Sequence, residues 1–467
     1  MELPEDPLIK KQQSISLRMA TLAAFITPFL GSALNVSLPS IGKELSMPAV
    51  SLSWIATGYL LAAGMALLPI GKAADMYGRK KFFRIGVWII LTSCVLAMIA
   101  PNSTFLLAMR VVEGFGASFI FSTGTAIMVS LYPPQQRGKI LGINTASVYS
   151  GLSLGPVVGG FITQHLGWRF VFLVPIVIIL FVQYFASKLK GDWAEAKGHS
   201  FDRAGTAILS SSLLSLVLGM SFMPGTKGFI LVIIGITGLG LFWFWQNKTD
   251  SPLLEPAIFN NMVFALSNLA ALINYAATYA VGFLLSLYLQ YIQGLPPQKA
   301  GLVLLAQPIT MALFSPFSGR LSDKVQPRVL SSLGMGMCAL GLLAFSFLNH
   351  HTAIWQVVVG LLFLGIGFGL FSSPNTNAVM SSVEKKYLGL ASGTLGSMRL
   401  LGQVMSMGGA SLVFAIYIGN VKITPESYPA FLTALDVMFK VCCGLCVLGI
   451  WASLSRGNLK RQHSAKS

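Results

Sequence analysis

Charged residues are scarce in this sequence. Asp, Glu, Lys and Arg together make up 10% of the 467 residues, whereas hydrophobic residues make up 54%. A soluble protein carries about 25% charged residues. The mean hydropathy is +0.72, which places most of the chain in a lipid bilayer. Because the hydrocarbon offers no hydrogen bonds to the backbone, we expect the membrane-spanning elements to be helices.

Cysteine is also scarce, and its five copies all fall in apolar stretches. Cys443 and Cys446 form one C-x-x-C pair, but no second pair or ligand-rich loop accompanies it. We therefore interpret the cysteines as small apolar packing residues and expect no metal site. Long polar segments are missing too, which excludes a catalytic domain. We expect neither an enzyme nor a bound cofactor.

The apolar residues form fourteen windows, each long enough for the roughly 20 residues that a membrane helix needs. An even number of spans places both termini on the same side. The sequence thus predicts an all-α membrane protein, with spans at residues 18–42, 52–72, 82–101, 104–128, 139–164, 168–187, 203–222, 228–246, 262–290, 299–319, 329–348, 353–373, 388–417 and 430–454.

The net charge of +17 has a topological origin. With a cytoplasmic N-terminus, 24 of the 32 Lys and Arg residues fall in the tails and loops of the cytoplasmic side. The other eight are divided between the outer loops (Lys43, Arg169, Lys227, Lys299, Lys422) and the spans (Arg110, Arg399, Lys440). This asymmetry is the positive-inside pattern. We expect cytoplasmic termini in a multi-pass protein of the cytoplasmic membrane and no nucleic-acid partner.

Two loops repeat a pattern. Residues 71–81 read GKAADMYGRKK and residues 319–328 read GRLSDKVQPR, each with a glycine, an aspartate four positions later and basic residues after it. Their places match if spans 1–6 and 9–14 are equivalent halves. We predict an N-terminal six-helix bundle at 1–190, an inserted helix pair at 191–250 and a C-terminal six-helix bundle at 251–467. Paired bundles around a central site are a transporter architecture.

Three motifs resemble those of a known superfamily. The first repeated loop is similar to the signature loop of the major facilitator superfamily, and its residues are Gly71, Asp75, Gly78, Arg79 and Lys80, with Gly319 and Asp323 in the second copy. Span 5 resembles the antiporter motif of proton-driven exporters, with Gly142, Gly151, Gly155, Pro156, Gly159 and Gly160. Span 4 resembles the proton-coupling motif, with Arg110, Gly114, Gly116 and Ala117. With fourteen spans, the chain resembles the fourteen-span drug:proton antiporters.

The resemblance implies a fold of two six-helix bundles with two inserted helices, and alternating access as the mechanism. Asp75 and the basic residues after it would gate the cytoplasmic side. The span 5 glycines recur every four residues and so form a stripe along one helix face. Such a stripe permits close helix packing, and the resemblance implies that it seals the outer side.

Arg110 and Glu113 stand out from the residues alone. They lie three positions apart in an apolar span, and so on one helix face. A charge at this depth is costly unless it is paired or neutralised. Burial favours the neutral carboxyl, whereas a neighbouring arginine favours the charged one. We expect Glu113 to carry a proton and Arg110 to tune it; the alternative is a permanent structural ion pair.

The first span departs from the resembling exporters, which typically have an aspartate there. Residues 29–39 read FLGSALNVSLP, so Asn35 and Pro39 match but Leu30 occupies the aspartate position. The position of Glu113 is more often glutamine in the resembling motif. We hypothesise that Glu113 has taken over the role of the missing carboxylate.

Other polar residues in the spans are candidates for lining a substrate cavity. They are Asn35, Tyr59, Asn144, Asn268, Asn274, Gln307, Asn375, Asn377 and Arg399. For each amide or hydroxyl group, a hydrogen bond between helices is the alternative. Asp436 and Lys440 are four residues apart in span 14 and are interpreted as a local structural pair.

Together these features predict a monomeric secondary transporter that exports small amphipathic or cationic molecules in exchange for protons, with the proton gradient as its energy source. One alternative is a transporter of a defined metabolite or lipid on the same fold, which the missing span 1 aspartate keeps open. The other is a non-transporting membrane sensor, which we would expect to lack the gating motifs.

Overall fold

The computed structural model describes residues 7–193, 200–322, 324–384 and 387–457. Within these residues the chain is helical and contains no strand, which confirms the all-α class. Among the residues described, fourteen helices are long and apolar enough to span a membrane. We label them α1 to α14, with the bounds Leu8–Glu44, Ala49–Tyr77, Arg79–Met98, Ser103–Ser130, Gln136–His165, Trp168–Lys188, Arg203–Phe222, Thr226–Gln246, Met262–Ile292, Pro297–Ser322, Pro327–Phe345, Ile354–Ser381, Leu388–Tyr417 and Pro425–Ser455.

Several helices extend beyond their predicted windows. α1 begins at Leu8 rather than at residue 18, because the polar stretch KKQQS continues the helix outside the apolar segment. A helix of this length measures about 55 Å, which exceeds the roughly 30 Å of hydrocarbon. Hydropathy detects only the part of a helix that lies in lipid, so the polar ends of helices escape it.

The two six-helix bundles repeat one packing scheme. In the first bundle α1 packs against α5 and α6, and α4 packs against α2 and α3, while α3 also contacts α6. In the second, α9 packs against α13 and α14, and α12 packs against α10 and α11, while α11 also contacts α14. The equivalent helix contacts in the two bundles agree with the sequence repeat in the two loops. The exact residues that bound each unit stay a prediction.

The inserted helices α7 and α8 form a hairpin beside the bundles. Asp202 caps α7 by accepting a hydrogen bond from the amide of Gly205 at 2.7 Å. Its carboxylate also accepts from Trp245 Nε1 at 3.0 Å and from Gln246 Nε2 at 2.8 Å, both on α8. α7 contacts α2 of the first bundle and α13 of the second. The hairpin therefore lies across the line where the two bundles meet.

The two bundles meet closely at the face opposite the basic loops. α5 approaches α10 so tightly that a Cβ added at Gly160 would lie 2.6 Å from the carbonyl oxygen of Pro297, and Gly301 is pressed in the same way against the carbonyl of Pro156. At the same face, a second contact joins the two bundles: Ser53 Oγ of α2 lies 2.7 Å from Ser411 Oγ of α13. These contacts close the opposite face.

At the basic face, the side that carries the lysine- and arginine-rich loops, the same helix pairs diverge. Gly142 lies on the face of α5 that carries Pro156 and Gly160, about four and five turns further along, yet no atom of another helix approaches within 4 Å of its Cβ position. Gly393 lies on the α2-facing side of α13 and is equally open. The cleft between the bundles therefore widens toward the basic face.

This packing predicts that Gly301→Val will force the opposite face apart, because valine has no room beneath the Pro156 carbonyl. Gln298 N lies 3.2 Å from Gln164 Oε1 across the same contact, so cysteines placed at positions 164 and 298 report closure through disulfide formation. We expect the disulfide to form rapidly in the parent protein and several-fold more slowly with Gly301→Val.

Gly142→Val serves as the matched control, since it adds the same side chain at an open position of α5. Cross-linking should be unchanged in this variant. Equal cross-linking of the Gly301→Val variant and the parent would show that the contact does not hold the face closed.

Candidate functional site

Arg110 and Glu113 of α4 form a buried ion pair. Arg110 Nη1 lies 2.6 Å from Glu113 Oε2, and the two residues are 2% and 3% exposed. Arg110 Nε donates to the carbonyl oxygen of Ile55 on α2 at 3.0 Å. Its guanidinium carbon lies 4.5 Å from the ring centroid of Tyr59. The two charges are thus in direct contact, and the proton-carrying and tuning roles stay a prediction.

The pair lies deep in the membrane. α4 begins at Ser103 at the opposite face, which puts Glu113 about 15 Å along the helix axis, near the bilayer midplane. Close packing holds α4 in place, because a Cβ at Gly114 would meet the backbone of Tyr59 and one at Gly116 would lie 2.8 Å from Ile89. The glycines of this motif thus bring α2 and α3 close enough to bury the pair.

A small cleft opens beside the pair, between the two bundles. Arg110, Tyr59 and Asn35, three of the residues predicted to function, meet here. Tyr279 of α9 closes the cleft from the other bundle, and the lining residues are Gly31, Leu34, Asn35, Leu38, Ile55, Ala56, Tyr59, Arg110 and Tyr279. A group bound in this cleft would contact both bundles and the arginine of the ion pair. Leu30, which occupies the aspartate position of the resembling exporters, is 1% exposed and packs in the core.

The gating loop is bonded within the first bundle. Asp75 Oδ1 accepts from Arg79 Nε at 2.6 Å, and Gly78 adopts a positive φ of 112° that favours glycine. The amide of Lys80 donates to Asp192 Oδ1 at 2.9 Å, and Lys80 Nζ donates to the carbonyl of Leu189. The gating role of the loop stays a prediction, and a loop bonded within its own bundle is consistent with an open basic face.

The second copy of the loop is less fully described. Gly319 packs against Ser373 of α12, since its Cβ would lie 2.7 Å from Ser373 Oγ. Gly71 occupies the corresponding place in the first bundle, with a Cβ position 3.5 Å from Ser122 of α4. Asp323 lies outside the described residues.

The glycine stripe of α5 packs against α1. A Cβ at Gly151 would lie 2.5 Å from the Phe25 carbonyl oxygen, one at Gly159 would lie 2.6 Å from Ala33, and Gly155 faces Ser32. Gly160 and Pro156 instead face α10 of the other bundle. The motif thus serves two interfaces, one within the first bundle and one across the closed face. Gly142, its first residue, touches neither.

A family model described as the Major Facilitator Superfamily matches this chain over residues 20–406 and again over residues 267–466. The chain belongs to the major facilitator superfamily. It is therefore a membrane transporter rather than an enzyme.

Relatives of this chain are named for different compounds. The riboflavin transporter RibZ of Clostridioides difficile is 27% identical over 94% of this chain and 96% of its own length. The multidrug resistance protein Stp of Mycobacterium tuberculosis is 25% identical over 88% of this chain and 77% of its own.

Solved structures support the fold alone. A peptide transporter, POT, in complex with sulfate has a TM-score of 0.71 at 14% identity, and covers 96% of this chain and 95% of its own. The human organic anion transporter MFSD10 has a TM-score of 0.61 at 16% identity, covering 96% and 100%.

Within this major facilitator fold, the other predicted cavity residues are dispersed. Asn268 donates to its own helix at Phe264 O, and Asn377 donates to Ser322 Oγ. Asn274 is fully buried, and Gln307 is half-buried where α10 packs against Gly365 of α12. Asn144 is half-buried on α5 toward the basic face. Their substrate contacts stay a prediction.

Arg456 is a buried cation, although its place in the sequence assigns it to the C-terminal tail. It is 2% exposed, and its guanidinium donates to Asn375 Oδ1 at 2.7 Å, Ser267 Oγ at 3.0 Å and Ser331 Oγ at 3.2 Å. Burial, with a smaller contribution from the nearby charge of Arg328, lowers the pKa of Arg456 to about 10. Asn375 is thus tied to this helix-end network, which no spacing in the sequence indicates.

The buried pair predicts asymmetric effects on stability. Removing one partner of a buried ion pair costs about 3–5 kcal/mol, because the other charge is left unpaired, whereas replacing both with apolar residues is tolerated far better. We expect Glu113→Ala to lower the apparent Tm of the purified protein by several degrees, and the double variant Arg110→Met with Glu113→Leu to recover much of that loss.

Glu44 and Arg169 provide the control, because they form an ion pair at the ends of α1 and α6. Their side chains are 50% and 31% exposed, and a water-exposed pair contributes about 0–1 kcal/mol. Glu44→Gln, which keeps an acceptor for Trp168 Nε1, should leave the apparent Tm nearly unchanged. Equal losses from Glu44→Gln and Glu113→Ala would contradict the assigned burial.

Proposed function

We propose that this transporter exports small amphipathic molecules in exchange for protons, with Glu113 as the proton carrier. The observation that carries the proposal is the Arg110–Glu113 pair, buried at mid-membrane depth beside a cleft between the bundles. An ionisable residue in this position is a functional candidate by default.

The geometry gives protonation a mechanical consequence. When Glu113 takes up a proton, Arg110 loses the opposite charge at 2.6 Å but keeps its hydrogen bond to Ile55 O. A buried cation without a counter-charge is costly, so the protonated state would need water beside Arg110. A molecule that displaces this water from the cleft would favour the charged pair and release the proton. Protonation and the contents of the cleft are thereby linked through one side chain.

Alternating access requires two faces that close in turn. The opposite face is closed by the α5–α10 and α2–α13 contacts, and the cleft opens toward the basic face. Closure of the basic face would bring the loop of Asp75 near the second bundle, where its pair with Arg79 could exchange for a contact with that bundle. The proposed role of this loop is to stabilise that closed state.

Transport of one defined metabolite is the second candidate. It is favoured by Leu30, which leaves the first span without the carboxylate of the resembling exporters, and the substrates named for the relatives include riboflavin as well as drugs. The two candidates differ in breadth of substrate and share the proton-coupling site.

Reconstitution in vesicles with an imposed pH gradient tests the proposal. We expect the parent protein to concentrate amphipathic dyes against their gradient, and an uncoupler to abolish this. Glu113→Gln removes the titratable group but keeps the size and polarity of the side chain. It should lose uphill transport by at least tenfold and retain downhill movement of the same dye.

The control is Asp436→Asn, which removes a carboxylate from the exposed pair of α14 and should preserve uphill transport. Full uphill transport by Glu113→Gln would refute the carrier role. Failure of the parent protein to move any member of a broad dye panel, together with uphill uptake of one metabolite such as riboflavin, would favour the second candidate.

A further inference from the structure

Arg399 lies in the middle of α13, and the described part of the chain places no carboxylate beside it. The helix begins at Leu388, so Arg399 is about 16 Å along its axis. Its Nη2 donates to Thr376 Oγ1 of α12 at 2.6 Å, while its Nε is buried and bonded to no group. Among the described residues, Arg399 forms no ion pair.

The contacts of α13 show that Arg399 faces the space between the bundles. Gly408 packs against Met220 of the inserted helix α7, on the outer flank of α13. Arg399 is nine residues away, which is two and a half turns and therefore the other side of the helix. Gly396, one turn nearer the basic face, has no atom within 4 Å of its Cβ position. Arg399 thus stands at the edge of the open cleft.

The charge balance of the membrane interior is positive. Away from helix ends, the carboxylates within the fourteen helices are Glu113 and Asp436. Glu113 is paired with Arg110, and Asp436 is paired with Lys440 on the exposed side of α14. Arg399 is left with a full positive charge and neutral partners. A cationic substrate in the cleft would be repelled by it, whereas an anionic group would be attracted.

The surroundings of Arg399 suit an aromatic molecule. Its guanidinium carbon lies 5.8 Å from the ring centroid of Tyr275 on α9. Tyr279 follows four residues later on the same face and lines the cleft beside Arg110. From the first bundle, Tyr149 of α5 reaches Ser315 of α10 at 3.3 Å between the hydroxyl oxygens. Aromatic rings therefore lead from Arg399 to the proton-coupling pair.

We propose that Arg399 binds an anionic group of the transported molecule, so that the preferred substrates are aromatic carboxylates or sulfonates rather than cations. This rests on the proposed transport function and specifies its substrate class. The planar guanidinium can receive a carboxylate or sulfonate through two parallel hydrogen bonds, and its unbonded Nε is one of the donors. The aromatic part of the substrate would lie against Tyr275.

Two dyes that differ only in the sulfonate test this proposal. Anilinonaphthalene sulfonate is an anion, and phenylnaphthylamine is the same ring system without the charge. Binding to the full-length protein in nanodiscs is measured by energy transfer from tryptophan, with empty nanodiscs subtracted for partition into lipid. We expect the parent protein to bind the sulfonate at least tenfold more tightly, and Arg399→Gln to reduce this preference to within about threefold.

Arg399→Lys keeps the charge and should retain a reduced preference for the sulfonate. Lys440→Gln removes one positive charge from the lipid-exposed side of α14 and should leave the preference unchanged. If Arg399→Gln fails to yield folded protein, the proposal is tested by the sulfonate preference of the parent protein and by its reduction in Arg399→Lys. An equal affinity of the parent for both dyes, or an undiminished preference in Arg399→Gln, would overturn the proposal.

Vesicle transport of the same two dyes separates this proposal from the transport function. Proton-driven uptake of both dyes with no dependence on Arg399 would refute the anion site and leave the export proposal intact. A sulfonate preference in binding that depends on Arg399, without proton-driven uptake of either dye, would support the anion site and refute proton-coupled export of amphipathic dyes.

Discussion

A charge inside the hydrocarbon must have a partner, and this requirement shapes the centre of the transporter. Arg110 and Glu113 satisfy each other at 2.6 Å, and the glycines of α4 allow α2 and α3 to pack closely around them. Ile55 O and the Tyr59 ring complete the environment of the arginine. Because Arg110 of the pair lines the cleft, a change in the charge of Glu113 alters which groups can bind there.

Much of the fold follows from the sequence, because bilayer thickness and backbone hydrogen bonding restrict the possible elements to apolar helices. The Gly-x₃-Asp loops revealed the repeat, and the packing of α1 on α5 and α9 on α13 expresses it in three dimensions. The helix ends were less predictable, as the polar start of α1 shows. Hydropathy cannot detect the polar turns of a helix that extend out of the membrane into water.

The site was predictable only in part. Spacing alone joined Arg110 to Glu113, because three residues along a helix fix proximity. The partners of Arg399 and Arg456 come from helices far apart in sequence, so no local pattern identified Thr376 beside the first or Asn375 beside the second. The unpaired positive charge in the cleft can be recognised only once the partner of each carboxylate in the membrane interior is known.

In the proposed mechanism, Glu113 exchanges its proton against the transported molecule. Proton release on dye binding to purified protein, followed with a pH indicator in weak buffer, tests this most directly. We expect the parent protein to release protons when an amphipathic dye binds, and Glu113→Gln to bind the dye without release. Equal release from both proteins, or binding to the parent without any release, would contradict it.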